Sequence, residues 1–440
     1  LEECRKRVDK ERRDRWLEWS KECWGTRKRA IYRWASGKSS VRSEQKMHAG
    51  DVGPDSSDRM EKAIEVWSTI WNAEGAGAYV PNFSGILPTI TGTRLRSVLN
   101  KMPDGKSKGY DSWAPNELRA LTDSHLEALA EILNECESQS RWPRALGRPI
   151  IALIPKAGAE DEGGMRPIAL LPYVYRLWMC VRKRDVQNWT STLHGGKPKA
   201  AETLAWELAA RGEAARISKK FFAAAFLDCS KCYERVDQKL AHDRALASGC
   251  SPIIANLAMD MYSRDRIVQV HGSHSETVEV NRGMLAGCGF AVHFLKAIII
   301  SILEDSPVEA RDYVDDITLH NCENSEAQLT LSMQGAIDEV SKSLENIKQK
   351  VNDEKEQLFI QNASVKKLWK KIRPDYKGAI SACVKDLGVD VRAPWMSSVG
   401  RARRIEEAKP IITRVGMLPY PVPIPSSINL NISVIPLHDK

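Results

Sequence analysis

Two acidic motifs beside predicted strands restrict the fold of this chain more than any other feature. Phe221–Asp228 reads FFAAAFLD, an apolar run that predicts a β-strand ending in a carboxylate. Farther along, Asp315 and Asp316 lie side by side between short β-prone segments, in the sequence YVDDI. This second pattern predicts a tight hairpin with both acids at its tip.

Such acids suit a particular chemistry. Adjacent carboxylates repel each other, and both stay ionised near neutral pH only with cations or much water nearby. Nucleotide joining uses two divalent ions about 3.5–4 Å apart, which activate the 3′-hydroxyl and stabilise the leaving oxygen. Oxygen ligands suit Mg²⁺, so two Mg²⁺ ions are the expected cofactor, with Mn²⁺ able to replace them. Taken singly, an Asp-Asp pair is more often an ordinary turn, and an acid at the end of a strand is more often a helix cap or loop residue.

The composition is that of a globular chain with a basic surplus. The 440 residues are 42% hydrophobic and 28% charged, which excludes wholesale disorder and allows two or three subdomains. A formal net charge of +8 favours phosphate backbones or anionic membrane surfaces as partners. The longest apolar stretch, Phe290–Leu303, is interrupted by charge and is too short to span a bilayer, so we expect no membrane partner.

The cysteines and the first residue bear on where the protein works. The ten cysteines form no dense framework, and Cys229 and Cys232 make a lone C-x-x-C without a second pair at zinc-ligand spacing. We interpret them as reduced thiols and expect an intracellular protein, in nucleus and cytoplasm. The chain starts at Leu1 without a signal peptide, which indicates either a fragment of a longer reading frame or a gene model without its true beginning.

The pattern along the chain predicts three parts. Residues 1–94 form a basic extension, helical from 2 to about 24. A Ser- and Gly-rich linker at 36–58 follows, and a helix resumes at Asp58 and runs through Trp67 and Trp71. The tryptophans of the extension suit an arm on nucleic acid or a helix docked on the main body. Residues 95–390 mix helices and strands without regular alternation, which favours an α+β fold, and 391–440 form a Pro-rich tail. Helices are expected at 115–136, 174–189, 201–214 and 331–351, and strands at 149–154 and 221–227.

The two acidic motifs belong to a series of short motifs that occur in a definite order along the chain. They are GKSKGYD (105–111), APNEL (114–118), IIALIPK (150–156), RPIALL (166–171), FLDCSKCYERVD (226–237), RGMLAGCG (282–289), YVDD (313–316), Asn352 with Lys355, and LGV (387–389). In this order they resemble the motifs of reverse transcriptases, most closely those of non-LTR (LINE-type) retrotransposons. The resemblance covers roughly residues 95–391.

The resemblance implies a right-hand polymerase, with fingers and palm over 95–390 and a short or truncated thumb beyond. Asp228 and Asp315 would be the direct metal ligands, and Asp316 would support the second position. The backbone carbonyl of Cys229 would also face a metal. Tyr233 would crowd the sugar 2′-position and so favour deoxynucleotides, although a tyrosine buried under the sheet is the alternative.

Other positions are implied to bind the nucleotide. Lys156 and Arg166 match residues that hold the incoming triphosphate, which an ammonium and a guanidinium can neutralise and orient; otherwise they are surface charges. Lys355 would pass a proton to the departing pyrophosphate, or is a solvated lysine at a helix end. The small residues around Gly287 would let a base pair approach the backbone. The implied partners are an RNA template, a DNA primer or target DNA, and dNTPs, held mainly through backbone phosphates.

The pattern also departs from the family. Ala286 stands where the family has a glutamine that contacts template and nucleotide, and residues 193–200 match the Q-x-G-F-R block only faintly. Two hypotheses therefore stay open: an active RNA-directed DNA polymerase of a non-LTR retrotransposon, and a decayed or co-opted descendant that binds nucleic acid without polymerising. Tyr233 and the Y-x-D-D form speak against a third, an RNA-dependent RNA polymerase. The sequence leaves the oligomeric state open.

Overall fold

The structure, a computed structural model, describes residues 10–22, 55–190, 201–392 and 406–410, without residues 12, 76, 157–160, 271, 387–388 and 407. Two compact units divide the chain: residues 52–396, and residues 1–51 together with 397–440. In the latter unit the described residues of 10–22 are helical, as predicted, and the rings of Trp16 and Trp19 stack with centroids 5.1 Å apart. The rest of that predicted helix, most of the predicted linker and most of the Pro-rich tail lie outside the described residues.

The helices of the unit 52–396 are named in chain order. Within the described residues they are α1 (Asp55–Trp71), α2 (Gly92–Leu99), α3 (Pro115–Arg119), α4 (Asp123–Gln139), α5 (Tyr173–Thr190), α6 (Ala201–Ile217), α7 (Cys232–Arg235), α8 (Gln238–Ala247), α9 (Pro252–Tyr262), α10 (Ala291–Leu303), α11 (Glu326–Asn346) and α12 (Ala363–Ile372). Two single 3₁₀ turns lie between α4 and α5, at Arg144–Leu146 and Glu162–Gly164.

The strands are named in the same way. They are β1 (Ile150–Pro155), β2 (Met165–Leu170), β3 (Phe221–Asp228), β4 (Arg266–Val270), β5 (Ser273–Val278), β6 (Glu309–Tyr313), β7 (Asp316–Glu323), β8 (Gln357–Ile360), β9 (Ala379–Ser381), β10 (Cys383–Asp386) and β11 (Val389–Arg392). They form a central sheet in the order β6-β7-β3-β8-β9, a second sheet in the order β2-β1-β4-β5, and the pair β10-β11.

Strand β3 lies in the middle of the central sheet and pairs antiparallel with both β7 and β8. Because successive side chains of a strand point to opposite faces, its apolar run is divided between two layers. Ala223, Ala225 and Leu227 belong to the main core, whereas Phe222 and Ala224 pack in a smaller cluster with side chains of α6. The uninterrupted apolar sequence thus reflects burial on both faces of the sheet.

The second sheet joins parts of the chain that are far apart in sequence. Strands β1 and β2 form an antiparallel hairpin, and β1 also pairs in parallel with β4. Helix α1 packs beside this region, and its Trp67 and Trp71 are fully buried. A segment predicted to belong to an N-terminal extension therefore contributes to the main core. The division at residue 94 stays a prediction, although the compact unit begins at residue 52.

The predicted elements can be compared with those found. The mixed α and β architecture is confirmed, as are the helices at α5 and α6 and the strands at β1 and β3. The helix predicted over 115–136 is instead two helices, and Thr122 caps the second by accepting from the His125 amide. The helix predicted to reach Val351 ends at Asn346, because Lys348 adopts a left-handed φ of 62°. The described part of the chain contains no helix long and apolar enough to cross a membrane.

Candidate active site

The acids singled out by the sequence meet at one edge of the central sheet. In the antiparallel register of β3 and β7, Asp228 lies directly opposite Asp316. Tyr313 pairs with Asp316 at the end of the β6–β7 hairpin, so the turn consists of only Val314 and Asp315. The tight hairpin predicted from the sequence is therefore present, with Asp315 in the turn and Asp316 at the start of β7.

The backbone of this turn is unusual for its sequence. Val314 has a φ of 65°. This left-handed region suits glycine or asparagine, and a β-branched side chain there is a true outlier. Such a conformation costs about 1–3 kcal/mol and persists only when its surroundings enforce it. Strain is thus stored next to Asp315, the residue whose carboxylate the turn presents.

The electrostatics of the edge reflect crowded carboxylates. Burial raises the pKa of Asp315, and the negative charge of Asp228 raises it further, while the ammonium groups of Lys355 and Lys156 act in the opposite direction. Lys355 Nζ donates to Asp228 Oδ2 at 2.9 Å. Two acids and two lysines from four different parts of the chain therefore act on one another here. We call Asp228, Asp315 and Asp316, at the adjoining ends of β3 and β7, the acidic edge.

The donor set suits a hard cation. Carboxylate and carbonyl oxygens are the ligands that Mg²⁺ prefers. The bridge between Cys229 and Val351 is made by the amides of Ser230 and Asn352, which leaves the Cys229 carbonyl pointing to the other side of the strand. Among the described residues, no three His, Cys, Asp or Glu side chains are grouped closely enough to hold an ion. The fit therefore depends on Asp228, Asp315 and main-chain oxygen.

The nearby thiols do not form a zinc site in the described structure. Both Cys229 and Cys232 are buried, and all cysteines within the described ranges are free. The hydrogen bond to Cys229, together with burial, raises the pKa of the Cys232 thiol well above its ordinary value. Among the described residues, no third His, Cys, Asp or Glu side chain completes a metal-binding set around this pair. The zinc interpretation of this C-x-x-C pair thus receives no support.

Tyr233 is half-buried on α7 and packs partly against the main core. Burial raises the pKa of its hydroxyl, and the charge of Asp315 raises it further, so the ring lies within electrostatic reach of that acid. The carbonyl of Tyr233 accepts a hydrogen bond from the Met284 amide at 2.8 Å. Tyr233 therefore lies between the acidic edge and the segment that leads to Gly287.

That segment approaches β2 closely. The Ala169 amide donates to the Ala286 carbonyl at 2.6 Å. Gly287 has a φ of 118°, and an added Cβ would lie 2.8 Å from the Ala169 carbonyl oxygen. Glycine is required here for both reasons. Ala286, the departure from the family pattern, is half-buried, whereas Gly287 is exposed.

The remaining basic residues lie around this region. Lys156 follows β1 directly, and Arg166 is exposed on β2 opposite Ile154. The described contacts do not join Arg166 to the acids. Lys231 was not singled out by the sequence; it has a φ of 51° and its ammonium lies 4.6 Å from the centre of the Trp67 ring. Burial lowers the pKa of Lys231, and neighbouring cations, Lys156 included, lower it further.

A buried ion pair next to Tyr233 also escaped the sequence analysis. Arg266 Nη1 donates to Glu234 Oε2 at 2.7 Å, and both side chains are almost completely buried. The Trp71 indole donates to the same carboxylate, and its ring lies 4.6 Å from the Arg266 guanidinium carbon. We call Trp71, Glu234 and Arg266 the site cluster. Burial raises the pKa of Glu234 and lowers that of Arg266, and each partner's charge opposes this.

Comparison with known families gives one match. The family model of reverse transcriptase (RNA-dependent DNA polymerase) matches residues 154–389, more than half of the 440 residues. The matched range contains the acidic edge, Tyr233, Gly287 and the three basic residues at 156, 166 and 355. No curated protein matches the chain. Residues 193–200 and 387–388, which belong to the motifs described above, lie outside the described residues.

Proposed function

Because this chain belongs to the reverse transcriptase family, we propose that its β3–β7 edge joins nucleotides by two-metal catalysis. The family makes the chain an RNA-directed DNA polymerase, a nucleotidyltransferase whose substrates are a nucleic-acid template and primer and dNTPs. One observation carries the proposal: Asp228 lies opposite Asp316 across adjacent strands, with Asp315 in the turn beside them.

Asp228, Asp315 and the Cys229 carbonyl would hold the metal ions, and Asp316 would support the second position. When bound, two Mg²⁺ ions would activate the primer 3′-hydroxyl and stabilise the leaving oxygen. The strained turn at Val314 serves this role by holding the Asp315 carboxylate next to Asp228 before any ion arrives. Preorganisation of this kind lowers the reorganisation needed at the moment of reaction.

The nucleotide would be held by groups on several sides. Lys156 and Arg166, near the ends of the β1–β2 hairpin, would orient the triphosphate. Lys355 keeps a proton donor beside Asp228 for the departing pyrophosphate. Gly287 would let the new base pair approach the backbone, and the Tyr233 ring would exclude a 2′-hydroxyl.

The wider context is part of the same proposal. The central sheet would be the palm of a right-hand polymerase, the β1–β2 hairpin part of its fingers, and the region after residue 390 a short thumb. The ordered motifs support membership in a non-LTR retrotransposon, whose reverse transcriptase would copy RNA from a DNA primer or target end. Nucleus and cytoplasm are the expected locations, in keeping with free thiols in the described ranges.

Primer extension tests the proposal. Purified protein, an RNA template, a labelled DNA primer and dNTPs are incubated with Mg²⁺. We expect Asp315→Ala to reduce incorporation by about 10²–10³-fold or more, because it removes a carboxylate that would hold the metal ions, whose positive charge would stabilise the leaving oxygen. Asp305→Ala, an exposed acid in the turn after α10, is the matched control and should act as wild type. Equal extension by Asp315→Ala and wild type would refute the proposed site.

A second candidate function is favoured by Ala286. Without the glutamine of the family pattern, the segment lacks a side chain that would contact template and nucleotide. Such a chain would bind nucleic acid through its basic surface without polymerising. Salt-dependent binding to primer–template, with no incorporation under Mg²⁺ or Mn²⁺, would establish this function. A variant with Ala286→Gln that gains incorporation would identify the missing contact.

A further inference from the structure

The site cluster holds more than its own three side chains. Arg266 Nη2 donates to the carbonyls of Arg282 and Gly283, at 3.3 and 3.1 Å. Gln238 Nε2 donates to the Gly283 carbonyl as well, at 3.1 Å. Both carbonyls belong to segment 281–284, which leads directly to Ala286 and Gly287. The buried Arg266 guanidinium therefore donates hydrogen bonds to the main chain of segment 281–284, just before the proposed nucleotide-binding residue Gly287.

The same segment is tied to the other two members of the cluster. The amides of Asn281 and Arg282 donate to the Trp71 carbonyl at 2.8 and 3.0 Å. The Met284 amide donates to the carbonyl of Tyr233, the residue that precedes Glu234. Segment 281–284 thus bridges α1 and α7, and the cluster joins the side chains of the same two helices.

The close approach depends on a glycine. Gly283 has a φ of 92°, and an added Cβ would lie 2.9 Å from both Arg266 Nη2 and the Glu234 carbonyl oxygen. Its amide donates to the Val236 carbonyl at 2.8 Å. Burying a charged pair costs free energy unless hydrogen bonds satisfy it closely. Here the hydrogen bonds that satisfy the Arg266 charge include the carbonyls of Arg282 and Gly283.

We propose that the site cluster is a positioning device that sets the distance between Tyr233 and the Gly287 segment. That distance determines the room for the sugar of the incoming nucleotide. Glu234, Arg266 and Trp71 touch no substrate; they act through the main chain of segment 281–284 and through α7. The inference rests on the proposed function, and it makes discrimination against ribonucleotides a property of this buried network as well as of the Tyr233 ring.

The chain supplies a matched control cluster. Glu137 of α4 accepts from the Trp178 indole at 2.7 Å and from Arg182 at 2.7 and 2.5 Å. We call Trp178, Glu137 and Arg182 the helix cluster. Among the described hydrogen bonds, none joins its side chains to Tyr233 or to segment 281–284. Glu137→Gln therefore disturbs a buried ion pair of the same composition without the proposed connection.

The experiment compares single-nucleotide incorporation of dNTP and rNTP. We expect Glu234→Gln to lower the dNTP:rNTP ratio of kcat/KM about tenfold or more, because small displacements in a site have large kinetic effects. Glu137→Gln should leave the ratio within about twofold of wild type even if it lowers the melting temperature. Equal ratios for the two variants would overturn the proposal. In a Tyr233→Ala background, Glu234→Gln should change the ratio no further, and an additive change would show that the cluster does not act through Tyr233.

Two further measurements keep the test decisive. Trp71→Phe removes the indole donor to Glu234 and part of the ring beside Arg266, and should shift the ratio in the same direction if Glu234→Gln does not fold. Amide hydrogen exchange in wild type needs no activity: the Gly283 and Met284 amides should exchange as slowly as those of β3. Fast exchange of these two amides in the folded protein would show that the site cluster does not hold segment 281–284 in place. If wild type incorporates no dNTP, the proposed function fails, whereas slow exchange would still show that segment 281–284 is held in place.

Discussion

The helix cluster and the site cluster contain the same three residue types, yet the arginine is held differently in each. In the helix cluster, Nε and Nη2 of Arg182 both donate to Glu137, and Nη1 donates to the Pro88 carbonyl at 2.9 Å. In the site cluster, only Nη1 of Arg266 reaches Glu234, and Nε has no hydrogen-bond partner among the described residues. The first arrangement gives each nitrogen of the guanidinium a hydrogen-bond partner and directs two of the three to the carboxylate, whereas the second directs Nη2 to two main-chain carbonyls.

The same contrast extends to the rest of the site. Next to the site cluster, Asp228 and Asp315 repel each other, and Val314 keeps a left-handed backbone that suits glycine. Near the helix cluster, Ser140 also has a left-handed φ, 51°, but it ends α4, where such a conformation is common. Unfavourable features, such as repelling charges and strained backbone, are common at functional sites, where they are retained for their effect on activity.

Removal of each arginine should produce the largest difference between the two clusters. We expect Arg182→Met to lower the free energy of unfolding by about 3–5 kcal/mol, because it strands Glu137 in the core. Arg266→Met should cost at least about 1 kcal/mol less, since it also removes the unpaired Nε and breaks only one hydrogen bond to a carboxylate. Urea unfolding of both variants measures the difference. A cost for Arg266→Met equal to or above that for Arg182→Met would contradict this comparison.

The acidic edge was accessible to sequence reasoning because its information is local. An apolar run predicts a strand through its own residues, and the YVDDI pattern predicts a hairpin through its own residues. Pairing of β3 with β7 then brings Asp228 and Asp315 together. Ordered motifs added proposed roles for residues such as Lys355, which donates a hydrogen bond to Asp228.

The site cluster was not accessible, because its information is spread along the chain. Glu234 and Arg266 are 32 positions apart, and Trp71 is 163 positions from Glu234. Each reads as an ordinary residue in its own segment, and only tertiary packing makes them neighbours. For the same reason α1 was assigned to an extension, although its Trp67 and Trp71 belong to the core. Left-handed Val314 and Lys348 also depend on surroundings that a sequence does not display.

The acidic edge should destabilise the fold as pH rises and Asp315 ionises, whereas the carboxylate of an ion pair stabilises the fold when it ionises. The folded-state pKa of Asp315 is raised, so its contribution to stability is complete below the unfolded value of about 3.9 and is lost as pH rises through the folded pKa. Without divalent metal, we therefore expect Asp315→Asn to raise the melting temperature at pH 7, by about 1–2 °C. The difference should vanish near pH 4.

Thermal melting from pH 4 to pH 8 in a chelator measures this effect. Asp305→Asn, an exposed acid, should show no comparable gain, and Glu137→Gln in the helix cluster should lower the melting temperature instead. An Asp315→Asn variant that melts below wild type at pH 7 would mean that the carboxylates stabilise the edge, and the contrast between the two regions would be lost.

The smallest effect concerns two of the left-handed residues, Val314 and Ser140. Val314→Gly removes strain of about 1–3 kcal/mol, and the extra freedom of glycine in the unfolded chain costs about 0.5–1 kcal/mol, so a modest net gain in stability is expected. Ser140→Gly should instead lose about 0.5–1.5 kcal/mol, because Ser140 Oγ accepts a hydrogen bond from Asn256 Nδ2 at 2.9 Å. Urea unfolding gives both values, and primer extension should show lower incorporation for Val314→Gly, whose turn no longer fixes Asp315. A stability loss for Val314→Gly would show that the valine side chain contributes more through packing than its backbone conformation costs.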